Sequence, residues 1–278
     1  MTDNKRLSFE FFPPKTDPGR KKLQVVWQTL NELKPEFFSV TYGAGGSTRE
    51  FTRGIVSAMR AADISVAPHL SFGGDDDQSM LQLLRDYQSL GVDRIVALRG
   101  DIPSGMGNAQ TVHANELVAF IRKHCGTELQ LEVAAYPEIH PQAESFSSDL
   151  HFLRNKMEAG ANSAITQYFY NADAYFYFLD QCRKNGINAP IYAGIMPITN
   201  YKNLARFSAN CGAEIPRWIT QRLECLQDDA DALREFGIEA VSRLCEQLLR
   251  GGAPGLHFYT MNTVEPTATI CRNIGFNS

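Results

Sequence analysis

The sequence predicts an α/β protein, a (β/α)8 TIM barrel with an extra helical insertion between strands seven and eight. Three observations lead there. Eight short apolar runs read as strands, and most are separated by stretches of helical periodicity. The 278 residues suffice for one such barrel. No composition shift marks an interdomain linker, so residues 1–278 are read as a single domain.

The first run, Leu7–Phe11, alternates Ser8 and Glu10 with Phe9 and Phe11, which puts the polar pair on one face. The second, Phe37–Thr41, leads into Thr41-Tyr42-Gly43-Ala44-Gly45-Gly46, a turn followed by Ser47-x-x-Glu50, a capping box. The third, Ser65–Leu70, carries His69 near its end. Leu81, Leu84, Tyr87 and Leu90 then mark a helix before the fourth, Arg94–Leu98. There the alternation is expected to turn Ala97 and Arg99 inward, with Val96 and Leu98 toward the helices. The fifth run, Gln130–Ala135, precedes a helix marked by Leu150, Leu153 and Met157. The sixth and seventh are Ser163–Gln167 and Ile191–Met196. The stretch between Asn200 and Gly251 holds two or three helical patterns, the expected insertion, before the eighth run, Gly255–Phe258. A doubly wound open sheet is the competing fold. It would place a glycine-rich turn after the first strand, where this chain has Phe12-Pro13-Pro14-Lys15.

Composition narrows the function. Hydrophobic content of 44% and charged content of 21% are those of a soluble globular protein. A net charge of −4 gives no footprint for nucleic acid. No apolar run reaches the roughly 20 residues of a membrane span. The first residues enter the opening strand without an apolar signal region, so a cytoplasmic home is expected. The six cysteines form no Cys-x-x-Cys pair and read as buried or half-buried free thiols, with no metal site.

The chemistry-bearing residues cluster where strands should end, which in a parallel barrel is the active-site mouth. Glu10 sits among Phe9, Phe11 and Phe12. Desolvation there is expected to raise its pKa and keep it partly protonated, as a general acid requires; an ion pair with a neighbouring cation is the alternative. Asp101 follows Arg99 and Gly100 and is expected to stay ionised, facing a ligand, bridging to the arginine or capping the next loop. Asp149 and Lys156, seven residues apart, share a helix face. His69 and His140 read as ligand-contacting or structural.

Taken in order, several blocks resemble the methylenetetrahydrofolate reductase family, in its bacterial form consisting of the catalytic barrel alone. They are Phe9-Glu10-Phe11-Phe12-Pro13-Pro14, Val40-Thr41-Tyr42-Gly43-Ala44, Ala67-Pro68-His69-Leu70 and Leu98-Arg99-Gly100-Asp101. Ala134-Ala135-Tyr136-Pro137-Glu138, His140-Pro141, Ala164-Ile165-Thr166-Gln167, Gly194-Ile195-Met196-Pro197 and His257-Phe258-Tyr259-Thr260 continue the series. The resemblance implies FAD as cofactor and NADH or NADPH as donor. It implies reduction of 5,10-methylenetetrahydrofolate to 5-methyltetrahydrofolate by a ping-pong mechanism, supplying methyl groups for methionine synthesis. A homo-oligomer is also implied. It makes Glu10 the general acid and Asp101 the carboxylate that holds the pterin and stabilises a cationic intermediate. Gln167 would contact both substrates, Phe207 would pack on them, and Thr41 would meet the nicotinamide. Tyr42, Ala44, His69, Arg99, Gly100, Asp101, Ala114, Tyr136, His140, Asp149 and Lys156 would surround FAD.

Four positions depart from the pattern. Asn203 and Thr263 stand where a glutamine and an arginine are expected, and Phe152 and Asn155 where polar or basic flavin contacts are expected. Two other readings stay open: a flavin barrel of the proline dehydrogenase type, and a folate-binding protein without catalysis.

Overall fold

The computed structural model describes residues 5–42, 49–72, 76–100 and 112–277. Eight parallel strands close in sequence order into a barrel. They are β1 (Arg6–Phe11), β2 (Phe37–Val40), β3 (Val66–Leu70), β4 (Arg94–Ala97), β5 (Gln130–Ala135), β6 (Ser163–Thr166), β7 (Ile191–Ile195) and β8 (Gly255–Tyr259). Six helices alternate with the first seven strands: α1 (Asp17–Asn31), α2 (Arg49–Ala61), α3 (Asp77–Ser89), α4 (Ala114–Cys125), α5 (Phe146–Glu158) and α6 (Ala172–Lys184). Between β7 and β8 lie α7 (Tyr201–Cys211), α8 (Arg217–Cys225) and α9 (Ala230–Arg250), and α10 (Thr267–Asn273) follows β8.

Local sequence explains where helices start. The side chains of Thr16, Asp76, Ser145, Asn171, Asn200 and Asp229 each accept a backbone N–H from the first turn of the helix that follows. The buried stripe of α3 is Met80, Leu83, Leu84 and Tyr87, so Leu81 lies at its edge rather than at its centre.

The strands read from the sequence all form, with ends shifted by at most one residue. Strand four departs from expectation in the direction it faces. Val96 packs inside the barrel with Phe37, Ala67, Ile165 and Tyr192, and Leu98 packs against that group. Ile95 and Ala97 belong to the outer core under the helices. Alternation alone does not say which face is which. The inside of a closed barrel is a packed core that takes bulky side chains, and this decides the matter.

Below that inner layer the barrel is plugged by charge. Arg94 bridges Glu36 and the fully buried Glu132, and lies over the Phe37 ring at 4.4 Å. Ser163 donates its hydroxyl to Glu132. The plug closes the amino-terminal end, so the inner space opens at the carboxyl-terminal mouth. Cys182, Cys245 and Cys271 are buried and Cys125 and Cys211 half-buried, as expected; Cys225 is exposed, on the short surface helix α8.

Candidate active site

Closure of β1 against β8 builds the floor of the site. The register pairs Ser8 with His257 and Glu10 with Tyr259, so all four side chains point the same way. Ser8 Oγ and His257 Nδ1 are hydrogen-bonded at 2.7 Å, and His257 Nε2 lies 3.4 Å from Glu10 Oε2. With His257 neutral, Ser8 donates to Nδ1 and Nε2–H faces the carboxylate. On the other side, His69 Nε2 from β3 lies 3.3 Å from the same oxygen.

The charge state of Glu10 is the reverse of the sequence expectation. Burial does push its carboxyl up. The electrostatic pull of His69 and the hydrogen bond from His257 outweigh that and hold the carboxyl at about 2. The apolar bulk of Phe9 and Phe11 turns outward, against Phe38 and Phe258, and does not surround the carboxylate. Phe12 is partly exposed at the cavity rim.

Above this floor lies a cavity of about 660 Å³. Its lining includes Glu10, Thr41, Tyr42, His69, Gln167 and Phe207, brought in from β1, β2, β3, β6 and α7. Gln167 sits just past β6, its amide oxygen accepting the Tyr168 N–H. Tyr259 donates its hydroxyl to the Thr166 carbonyl, and Thr166 Oγ1 accepts the Gly194 N–H. A Cβ on Gly194 would collide with the Thr166 carbonyl and come within 2.9 Å of the Tyr259 ring, so the wall beside Gln167 depends on that glycine.

A second cavity of about 450 Å³ adjoins the first and shares Leu98, Ala134 and Tyr136 with it. Arg99, Ala114, His140, Asp149 and Lys156 line it. Lys156 Nζ donates to the Ala134 carbonyl, and Asp149 accepts the His140 N–H. Burial pushes the Lys156 amine down to about 8, with Asp149 resisting the fall and Arg99 adding to it. Burial likewise raises the Asp149 carboxyl, against the His140 N–H and Lys156. Two cations and one carboxylate thus line this cavity beside the amino end of α4. This donor set suits the phosphates of a dinucleotide. Gly100 is half-buried just after β4. Asp101 and Ala44 lie outside the described residues.

Of the departures from the family pattern, Asn203 is exposed on α7 and the Thr263 hydroxyl is spent on the Thr260 carbonyl. Asn155 is hydrogen-bonded to His151, whereas Phe152 lines the second cavity. Sequence reasoning missed Ser8 and His257 as parts of the site. Their signal was present, a histidine and a serine at the same level of the first and last strands, but it has meaning only once the barrel closes. Among the described residues no cluster of three or more His, Cys, Asp or Glu could hold a metal, and no helix is long and apolar enough to cross a membrane.

The sequence model of the methylenetetrahydrofolate reductase family matches residues 1–275. The 5,10-methylenetetrahydrofolate reductase of Escherichia coli strain K12 is 37% identical over 270 residues, covering 97% of this chain and 90% of that protein. The corresponding protein of Buchnera aphidicola subsp. Schizaphis graminum is 38% identical, covering 99% and 94%. Methylenetetrahydrofolate reductase (NADH) 1 of Arabidopsis thaliana is 37% identical, covering 97% of this chain but 48% of the plant protein. A solved structure of an uncharacterised protein from Clostridium thermocellum that binds two copies of 5-methyl-5,6,7,8-tetrahydrofolic acid matches with a TM-score of 0.65. The two are 18% identical, with 97% and 94% covered, so this likeness is one of fold.

Proposed function

The chain belongs to the methylenetetrahydrofolate reductase family and is an oxidoreductase acting on methylenetetrahydrofolate; from that premise we propose that it uses FAD and NAD(P)H in a ping-pong reaction on one face of the barrel mouth. The observation that carries the proposal is Glu10, a carboxylate on the cavity floor held between two imidazoles.

The second cavity would hold the cofactor's diphosphate, through Arg99, Lys156 and the first turn of α4. Tyr136, His140, Asp149 and Ala114 line the same cavity, and Tyr42 and His69, which line the first, would contact the flavin. When bound, FAD supplies the two-electron carrier that takes a hydride from NAD(P)H and gives one to the folate's one-carbon unit. Thr41, Gln167 and Phe207 position first the nicotinamide and then the folate in the same cavity.

Opening the folate's five-membered ring requires a proton at the leaving nitrogen. Glu10 is ionised in the free protein, so it takes up a proton from solvent before the ring opens. Glu10 passes that proton on as the nitrogen departs, and Ser8 holds His257 with Nε2 toward the carboxylate. Asp101, in the role the family resemblance assigns it, offsets the iminium charge that forms on the folate. Homo-oligomeric assembly and a cytoplasmic home belong to the same reading, supported by family membership alone.

The test is direct. Purified protein should show flavin absorbance. Its anaerobic reduction by NADH and NADPH in parallel should be followed by reoxidation with methylenetetrahydrofolate. Reoxidation by quinones instead would favour a proline dehydrogenase type of barrel. Absence of flavin would leave the FAD reading without support.

A further inference from the structure

Phe152 is a large apolar side chain left half exposed on α5, where His151, Arg154, Asn155 and Glu158 are polar. Its ring is within 8° of parallel to the ring of His113, with centroids 6.5 Å apart. Both rings line the second cavity, together with Arg99 and Lys156. An exposed pair of parallel rings beside two cations and a helix amino end is the arrangement that takes a planar base next to its phosphates. We propose that Phe152 and His113 form a stacking platform for the purine base of FAD, in place of polar contacts to that base. The inference rests on the reading of FAD as the cofactor.

The geometry limits the alternatives. Arg154 is ion-paired with Glu158, and Asn155 lies 3.2 Å from His151 Nε2, so these side chains are engaged along the helix rather than aimed at a base. The His113 N–H is taken by Glu116, which fixes the start of α4 and with it the position of the His113 ring. The platform thus stands on two helices whose first turns are both capped.

FMN lacks the purine half of FAD and separates the two contributions. Dissociation constants for FAD and FMN should be measured by fluorescence titration on the apoprotein for wild type, Phe152→Ala, Phe152→Tyr and His113→Ala. Phe152→Ala should weaken FAD about tenfold, the scale of one base–aromatic stack, and leave FMN within about twofold. Tyrosine, which keeps the ring, should restore FAD binding, and His113→Ala should again weaken FAD alone. Equal weakening of both flavins, or no change in either, would overturn the platform while leaving FAD as the cofactor. A raised KM for the nicotinamide donor with unchanged FAD affinity would also overturn it, by assigning the rings to the donor's base. Failure of the wild-type protein to bind either flavin would instead overturn the cofactor reading on which the platform depends.

Discussion

Glu10 meets two imidazoles at nearly equal distances, 3.3 Å to His69 and 3.4 Å to His257. The sequence made Glu10 visible, because a carboxylate inside an aromatic strand is costly unless it is used or paired. It could not show the histidines, since His257 is 247 residues away and becomes a neighbour only when β8 closes on β1. This is why burial alone predicted a raised pKa and the structure gives a lowered one. Lys156 shows the opposite balance, with burial winning and the amine falling to about 8. That value has a consequence for cofactor binding. A diphosphate favours the charged amine, so binding raises the pKa and is strongest where the free protein is already protonated. FAD affinity should be level below about pH 8 and fall as pH rises through that value. Titrations between pH 7 and pH 9.5 should show this in the wild type and not in Lys156→Met, whose affinity should be low and flat throughout. A flat profile in the wild type would remove Lys156 from the phosphate site.

The strands were legible as elements because buried parallel strands read as apolar runs bounded by turns. Their ends moved by one residue, and β4 faced the other way, because periodicity fixes alternation and not orientation. The glycine of β7 is a feature that sequence alone could not weigh. Gly194 lies in register with His257, and a side chain there would strike the Thr166 carbonyl that Tyr259 also uses. Gly194→Ala should therefore cost about 1–3 kcal/mol by overpacking, measured by denaturant unfolding. Because Thr166 precedes Gln167, catalysis should fall too, at unchanged flavin content. A variant as stable and active as wild type would mean that β6 and β7 can part without disturbing the site.

For the whole molecule, the decisive feature is that Glu10, Thr41, Gln167 and Phe207 open onto one cavity of about 660 Å³. The ordered motifs made the family legible along the whole chain, whereas the shared space was not, since elements far apart in sequence supply its walls. Two substrates using one face must alternate. Double-reciprocal plots should be parallel, and Gln167→Ala should slow both half-reactions; intersecting lines would require a ternary complex and a second site for the nicotinamide. The most direct test of the account compares the two half-reactions in Glu10→Gln by anaerobic stopped-flow. The amide keeps the size and polarity of Glu10 but cannot pass on a proton. Flavin content should be normal, flavin reduction by NAD(P)H near-normal, and reoxidation by methylenetetrahydrofolate slowed by roughly 10²-fold or more. Reoxidation at the wild-type rate, or equal slowing of both half-reactions, would contradict the assignment of Glu10 as the acid of the folate step.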